Sequence, residues 1–132
     1  MNLLIVGINH TSAPVELREK VAFTHEQLPN ALKDISRVAD FSEVAVLSTC
    51  NRTEIIAITE DANEKKVVDW LAAYHEMQVS ALEPSIYTKG NQEAVYHAAR
   101  VACGLDSMII GEPQIFGQVK DAYEQADLIG TL

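Results

Sequence analysis

The sequence predicts a single α+β domain, and three observations support this prediction. The chain has 132 residues, which suits one domain. Short runs of branched apolar residues alternate with longer segments in which apolar residues recur at helical spacing, so strands and helices are mixed along the chain. Apolar residues make up 48% of the chain and charged residues 22%, which is the composition of a globular domain and excludes a disordered one.

The N-terminal elements are predicted in the order strand, helix, helix. Residues 2–9 are apolar and rich in branched side chains, which is typical of a buried strand. A short charged helix is predicted at Val15–Val21. A longer helix is predicted to begin at Thr24, because Gln27 three residues later completes a capping box. Its apolar stripe at helical spacing consists of Leu28, Ala31, Leu32, Ile35 and Val38.

The middle of the chain is predicted to form a hairpin, a helix and a short strand. Ser42–Ser48 and Thr53–Thr59 have the pattern of strands, and only residues 49–52 separate them, so we expect an antiparallel hairpin. A short strand is predicted at Ser85–Thr88. The helix between them is predicted over Asn63–Met77, with an apolar face formed by Val67, Trp70, Leu71, Tyr74 and Met77.

Two helices are predicted at the C-terminal end. Asn91 caps the first, which ends near Cys103 because Gly104 occupies a position typical of helix termination. The second begins near Pro113, since proline suits the first helical position. Its apolar stripe consists of Phe116, Val119, Ala122, Tyr123 and Ala126. The whole order predicts a ferredoxin-like split βαβ sheet with helices on one face, followed by additional C-terminal helices.

Composition and motifs exclude several classes of function. The formal net charge of −9 argues against a nucleic-acid-binding module, which needs clustered Lys and Arg. No apolar run is long enough for a membrane helix or a signal peptide, so we expect a cytoplasmic protein. The two cysteines and four histidines lack the spacing of metal ligands, so no metal is predicted.

The main candidate for chemistry is Cys50, which lies where the second strand gives way to the hairpin turn. A side chain in such a turn is held by the sheet and still reaches solvent, as a nucleophile requires. A free thiol is mostly protonated at neutral pH, and Arg52, Asn51 and the turn amides would favour the thiolate. The alternative is that Cys50 is a small apolar residue of the core.

Arg52 and Glu54 are predicted to share one face of the third strand, because side chains in a strand repeat with a period of two. An arginine and a carboxylate beside a thiol could bind the carboxylate and ammonium groups of an amino acid. The alternative is a solvated ion pair worth under about 1 kcal/mol. The residue types alone leave both interpretations open.

Two further residues with reactive side chains lie on the helix that ends at Cys103. Cys103 is expected to be a small buried filler, because the helix C-terminus disfavours a thiolate. His97 is either a core histidine or an acid/base residue, and in the second case Glu93 four residues earlier would hold one ring nitrogen.

The segment from Gly104 to Gln118 is rich in polar side chains, namely Ser107, Glu112, Gln114 and Gln118. Gln114 and Gln118 are four residues apart and share one face near a helix N-terminus, which suits an anionic or carbonyl ligand. The sequence contains no glycine motif that binds dinucleotides or phosphates, so it predicts no nicotinamide site within this chain.

Three motifs together resemble the N-terminal catalytic domain of the glutamyl-tRNA reductase family. The first is GINHTSAP at residues 7–14, followed by Arg18 and Glu19. The second is STCNRTE at residues 48–54, and the third is GLDS at residues 104–107 leading into GEPQIFGQ at residues 111–118. The resemblance covers nearly the whole chain, with the motifs in the family's order.

The resemblance implies an NADPH-dependent oxidoreductase of tetrapyrrole (porphyrin) biosynthesis. In this family a cysteine attacks the ester of glutamyl-tRNA, and the resulting thioester is reduced with NADPH to glutamate-1-semialdehyde. The resemblance implies that Cys50 is the nucleophile, that His97 is a catalytic residue, and that the first motif is mainly structural. It also implies a glutamyl pocket formed by Thr49, Asn51, Arg52, Ser107, Glu112, Pro113, Gln114 and Gln118.

The resemblance further implies what residues 1–132 would not do alone. NADPH would be bound by a following domain, and the family's homodimer would form through a long C-terminal helix, both expected to be absent from this chain. The expected partner is the acylated 3′ end of glutamyl-tRNA, with no metal and no membrane, and the isolated domain would show at most esterase activity. The competing hypothesis is a ferredoxin-like module that senses a small amino acid, with Cys50 buried.

Overall fold

The computed structural model describes residues 1–38, 40–111 and 114–132, except for the side chain of Val38. The elements are β1 (Asn2–Asn9), α1 (Val15–Val21), α2 (Leu28–Val38), β2 (Phe41–Ser48), β3 (Arg52–Thr59), α3 (Glu64–Tyr74), α4 (Val79–Leu82), a 3₁₀ turn (Glu83–Ser85), β4 (Tyr87–Gly90), α5 (Gln92–Ala102) and α6 (Gln114–Ile129). The predicted order of strands and helices is confirmed. The helix α4 and the 3₁₀ turn were not predicted, because so few residues do not show a helical period.

The four strands form one antiparallel sheet in the order β2-β3-β1-β4. Strand β3 pairs with β2 as the predicted hairpin and with β1 on its other side. This order is that of a split βαβ sheet, so the predicted ferredoxin-like fold class is confirmed. The register places Asn9 opposite Arg52 and Gly7 opposite Glu54. The C-terminal end of β1 therefore lies beside the N-terminal end of β3.

One face of the sheet, the apolar face, packs against α2 and α3. Its strand residues are aliphatic, and the helix residues against them are those of the predicted stripes. Buried members of this cluster include Leu4, Val6, Ile8, Val44, Val46, Ile55, Ala57, Ala31, Leu32, Ile35, Val67, Trp70 and Leu71. Burial of these side chains is the main source of stability on this face.

The opposite face, the polar face, is covered by α5 and the first turns of α6. Leu47 of β2, Val101 of α5 and Ile115 of α6 form a second apolar cluster there. Glu54 lies on the same face and contacts His97 of α5. The prediction that the helices lie on one face is therefore wrong for α5 and α6, because the strands carry apolar residues on both sides and each side needs cover.

The predicted helix ends are confirmed where the structure describes them, except that the Asn91 side chain makes no capping bond to α5 and instead accepts from the Leu3 amide at 3.1 Å. The backbone amide of Thr24 donates to the Gln27 side chain at 2.9 Å and the amide of Gln27 donates to the Thr24 hydroxyl at 3.2 Å, although regular helix begins only at Leu28. The Asn63 side chain accepts from a backbone amide of α3. Gly104 follows α5 with φ +77°, a conformation that favours glycine. The predicted helix start at Pro113 lies outside the described residues.

The predicted apolar stripe of α6 is partly wrong. Phe116 and Tyr123 are 65% and 55% exposed, whereas Ile115 and Ala126 are buried. Val119 packs at the edge of the second cluster, as predicted. The helix lies along the rim of the sheet beside β2, so it buries a narrower stripe than a helix centred on a face.

Candidate active site

Cys50 lies at the tip of an ordered turn between β2 and β3. The amide of Thr49 donates to the carbonyl of Arg52 at 2.8 Å, which closes the turn. The Thr49 hydroxyl accepts from the amides of Asn51 and Arg52, each at 3.1 Å. Cys50 itself is exposed, so the alternative of a core cysteine is wrong. The turn therefore presents a thiol on a backbone fixed from both sides.

A small pocket of about 40 Å³ lies against this turn. It is lined by Thr49, Cys50, Asn51, Arg52, Ser107, Gln114, Ile115 and Gln118. Three separate segments thus meet here, and seven of the residues predicted for the site line the pocket. Glu112 and Pro113, which were also predicted, lie outside the described residues. Ile115 was not predicted, because an apolar residue in an apolar helical pattern carries no sign of a binding role.

Arg52 is only 2% exposed and is held by two carboxylates. Its Nη1 donates to Glu54 Oε2 at 3.3 Å, and its Nη2 donates to Asp106 Oδ2 at 3.0 Å and to the Asp106 carbonyl at 2.6 Å. The prediction that Arg52 and Glu54 share a face is confirmed. The alternative of a solvated pair is wrong, since both side chains are almost fully buried.

Glu54 is a hydrogen-bond acceptor for three side chains. Besides Arg52, it accepts from the Tyr87 hydroxyl and, at 2.5 Å, from His97 Nε2 when that nitrogen bears the proton. Burial, and then the negative charge of Glu54, raise the pKa of Tyr87 well above its usual value, so the phenol remains a donor. A carboxylate buried to this degree requires such partners, because an unpaired buried charge is costly.

Gly7 of β1 makes room for Glu54. A Cβ at Gly7 would lie 2.4 Å from the Thr53 carbonyl oxygen and 3.0 Å from Cγ of Glu54. The 2.4 Å distance to the Thr53 carbonyl oxygen is shorter than a Cβ atom tolerates, so only glycine fits here without a shift of the strands. The glycine of the first sequence motif is thus explained by close packing under the Glu54 side chain.

His97 does not bond to Glu93, and this prediction is wrong. The Glu93 carboxylate lies 3.5 Å from Lys89 Nζ on the surface, whereas the His97 ring is buried and turns to Glu54. His97 is also not among the residues that line the pocket. Its contact with the pocket therefore runs through Glu54 and Arg52.

Besides Ile115, three residues at the site had no predicted binding or catalytic role: Tyr87, Asp106 and Arg18. Arg18 of α1 donates from Nη1 to Asn51 Oδ1 at 3.3 Å and so contacts the turn that presents Cys50. Asp106 stands next to Ser107 in the third motif, which was a usable signal. Tyr87 gave no signal, because its contact with Glu54 spans 33 positions of the chain.

Cys103 follows α5 as predicted, but it is exposed. The prediction of a buried filler is therefore wrong. Cys103 is the C-cap residue of α5, one position beyond the last regular helical residue. The chain has two accessible thiols, and they differ in their surroundings rather than in burial.

Neither a metal site nor a membrane span is found in the described part of the chain. Within it, no group of three or more His, Cys, Asp or Glu side chains could hold a metal ion. None of its helices is long and apolar enough to cross a membrane. A larger cavity of about 550 Å³ lies between α3, α4 and β4, and none of the residues predicted for the site lines it.

A family model described as the N-terminal domain of glutamyl-tRNA(Glu) reductase matches residues 6–132. The chain belongs to the glutamyl-tRNA reductase family. The glutamyl-tRNA reductase of Marinobacter nauticus is 50% identical to it over 126 residues, which are 96% of this chain and 29% of that protein. The glutamyl-tRNA reductase of Colwellia psychrerythraea is 44% identical over 135 residues, which cover 100% of this chain and 32% of that protein.

A solved structure of glutamyl-tRNA reductase from Methanopyrus kandleri has the same fold. It matches with a TM-score of 0.81 at 35% identity, over 98% of this chain and 29% of that one. The family predicted from the three motifs and the fold class predicted from the order of elements are thus confirmed. This chain corresponds to the family's N-terminal domain and spans about a third of the length of these glutamyl-tRNA reductases.

Proposed function

We propose that this chain is the catalytic domain of a glutamyl-tRNA reductase, in which Cys50 captures the glutamyl group from glutamyl-tRNA as a thioester. The observation that supports this most directly is the meeting of three segments around Cys50. An exposed thiol, a guanidinium and the side chains of Ser107, Gln114 and Gln118 border one pocket. A nucleophile, a cation and neutral hydrogen-bonding groups are what capture of an acidic aminoacyl group requires.

The chemical step is an acyl transfer. The Cys50 sulfur forms a bond to the ester carbonyl carbon, and the bond from that carbon to the ribose oxygen of the tRNA breaks. The thiol proton ends on the ribose oxygen that leaves. Thr49 and Asn51 fix the turn from which the sulfur attacks, and the polar side chains opposite can bind the ester carbonyl.

Arg52 is assigned to the side-chain carboxylate of the glutamyl group. A guanidinium can bind a carboxylate through two parallel hydrogen bonds, and it would distinguish glutamate from glutamine by charge. His97 and Tyr87 then act as positioning residues, since both bond to the Glu54 carboxylate that holds Arg52. In this proposal His97 influences activity without touching the substrate.

The reduction with NADPH to glutamate-1-semialdehyde, the first step of tetrapyrrole synthesis, is assigned to the full-length cytoplasmic enzyme. The chain contains no glycine motif of the kind that binds dinucleotides, so we assign no NADPH-binding residue to it. NADPH binding and the homodimer belong in this proposal to the other two-thirds of the relatives' length. The acylated 3′ end of the tRNA is the part of the substrate that this domain receives.

The test is to incubate the chain with glutamyl-tRNA and to search by mass spectrometry for a glutamyl adduct. We expect an adduct on Cys50, none in Cys50→Ser, and an unchanged adduct in Cys103→Ser, which is the matched control because both thiols are exposed. Slow release of free glutamate without semialdehyde should follow, because water is the acceptor that remains. Binding of glutamate without any adduct would instead favour the amino-acid-sensing module.

A further inference from the structure

The Asp106 carboxylate already binds the guanidinium of Arg52, which the carboxylate of the substrate would need. Arg52 Nη2 donates to both the carboxylate and the backbone carbonyl of Asp106. The Arg52 side chain is 1% exposed, whereas that of Asp106 is 29% exposed. Arg52 also pairs with a second carboxylate, since its Nη1 lies 3.3 Å from Glu54 Oε2. A carboxylate of a ligand would therefore be the third at Arg52, beside those of Glu54 and Asp106.

The two carboxylates are not held equally. Glu54 keeps two donors, Tyr87 and His97, if Arg52 turns to another acceptor. The Asp106 carboxylate has Arg52 as its one side-chain partner among the residues that the structure describes. Asp106 is therefore the carboxylate that can leave at lower cost, since it is partly hydrated and a water molecule can replace its partner.

Asp106 also lies in a closed loop, residues 104–111. The amide of Gly111 donates to the carbonyl of Gly104 at 2.9 Å, which closes the neck of the loop 104–111. Both glycines have positive φ, +77° and +79°. Ile109 and Ile110 within the loop are 69% and 75% exposed, so little apolar contact anchors it.

The pocket is small beside a glutamyl group. About 40 Å³ is room for roughly three water molecules by the measure in which one takes about 10–15 Å³. A glutamyl group is several times larger, so movement of a lining segment would be needed to enclose it. Ser107, which follows Asp106, is one of the lining residues and would move with it.

We propose that Asp106 is an internal competitor for the carboxylate subsite at Arg52, and that the side-chain carboxylate of the glutamyl group displaces it. This inference rests on the proposed function, because it takes the substrate to be acidic. A carboxylate can replace a carboxylate with the charge of Arg52 still matched. A neutral amide cannot, because Arg52 would exchange a charged acceptor for a weaker one. The loop 104–111 then opens for acidic ligands and stays closed for glutamine.

The experiment is an NMR titration of this chain with free L-glutamate and, separately, with L-glutamine. In the unsubstituted protein the carboxyl carbon of Asp106 should shift as glutamate saturates the site, together with the amides of Asp106 and Ser107. Glutamine should leave these signals in place. Glutamate binding that leaves the Asp106 carboxyl signal unmoved would overturn the proposal, and this measurement needs no variant.

The variant arm compares Asp106→Asn with Asp121→Asn. Both remove one negative charge, but Asp121 is an exposed residue of α6 with no bond to Arg52. Asp106→Asn should tighten glutamate binding by about tenfold, since the competing charged bond is gone, and Asp121→Asn should change it less than about twofold. Weaker binding in Asp106→Asn would show that Asp106 holds Arg52 in place for the ligand, which also overturns the proposal.

The outcome is separable from that of the proposed function. A Cys50 adduct without displacement of Asp106 refutes only the proposal that Asp106 competes with the ligand for Arg52. Displacement of Asp106 by glutamate without any Cys50 adduct leaves the carboxylate subsite standing and refutes the acyl transfer. Thermal unfolding of both variants establishes that they are folded before binding is compared.

Discussion

The two faces of the sheet differ in what they bury. On the apolar face, aliphatic side chains of the strands meet those of α2 and α3. On the polar face, α5 and α6 cover a smaller apolar cluster and, beside it, Arg52 and Glu54, which are 2% and 1% exposed. Both faces are closed by helices, but among the residues that the structure describes, only the polar face buries an ion pair.

This difference shows that the polar face holds the Arg52 guanidinium in place at the expense of apolar packing, which would stabilise the fold as well or better. Apolar burial is favourable without a particular geometry, at about 25 cal/mol per Å². A buried ion pair is often no more stable than apolar residues of the same size, and losing one partner is costly. The polar face therefore holds a guanidinium in a fixed orientation at the edge of a pocket, and Glu54, His97 and Tyr87 serve that purpose.

The largest effect is expected from Glu54→Ala. It leaves Arg52 with Asp106 alone and removes the partner of His97, so we expect a loss of about 3–5 kcal/mol in the free energy of unfolding. Leu32→Ala on the apolar face is the matched control and should cost about 2–5 kcal/mol through the cavity it leaves. Urea unfolding measures both.

The two substitutions should separate at the site. Folded Leu32→Ala should keep the reactivity of Cys50 with glutamyl-tRNA, whereas Glu54→Ala should lose it because Arg52 is no longer fixed. If Glu54→Ala cost less than about 1 kcal/mol, the polar face would not depend on this ion pair, and the contrast between the faces would fail.

A smaller effect is expected from Gly7→Ala, also on the polar face. The added methyl would collide with the Thr53 carbonyl and with Glu54, so the strands must shift at a cost of about 1–3 kcal/mol. Gly90→Ala is the control, because nothing lies within 4 Å of a Cβ there. Thermal unfolding that shows equal losses for the two variants would contradict the close packing under Glu54.

Asn63→Ala tests the apolar face without touching its core. The Asn63 side chain caps α3 by accepting from the Lys65 amide at 3.1 Å, and its loss should cost about 1 kcal/mol. Ser36→Ala, at a half-buried position of α2 that caps no helix, should change the unfolding free energy by less. Capture of the glutamyl group by Cys50 should be the same in both variants. A selective loss of capture in Asn63→Ala would show that the two faces are coupled.

The smallest effect concerns His75, which packs against Phe23 and Tyr74 at the end of α3. Burial lowers the pKa of His75, against a hydrogen bond to the Val21 backbone that raises it. As pH falls through about 6.5, the unfolded chain binds this proton while the folded chain does not, so the unfolded state holds more protons and stability falls. Below the folded pKa the loss is complete.

The check is urea unfolding between about pH 8 and pH 5 for the unsubstituted chain and His75→Gln. The variant should lose less stability on acidification, because the group that resists its proton is gone. If the free energy of unfolding depended equally on pH in the two proteins, groups other than His75 would be responsible for that dependence. Cys50 capture at fixed pH should not respond to this substitution, since His75 packs beside α3 and does not line the Cys50 pocket.

Much of the fold was predictable because its signals are local. The runs of branched apolar residues in β1 and β3, the capping box at Thr24 and Gln27, and the glycine after α5 each depend on neighbours a few positions away. The place of Cys50 at the end of β2 follows from the same local pattern. Motif resemblance added the family, which residue types alone left open between an enzyme and a binding module.

Other properties depended on contacts between distant parts of the chain. Asp106 reaches Arg52 across 54 positions, His97 reaches Glu54 across 43, and Tyr87 reaches Glu54 across 33. The pairing of β4 with β1 brings Tyr87 to Glu54, and the position of α5 on the second face brings His97 and Asp106 to their partners. The packing of α5 and α6 also decided that Cys103 and Phe116 are exposed. The period of a helix or strand determines which of its own side chains share a face. Only the packing of one element on another determines which charged side chains of distant segments come into contact.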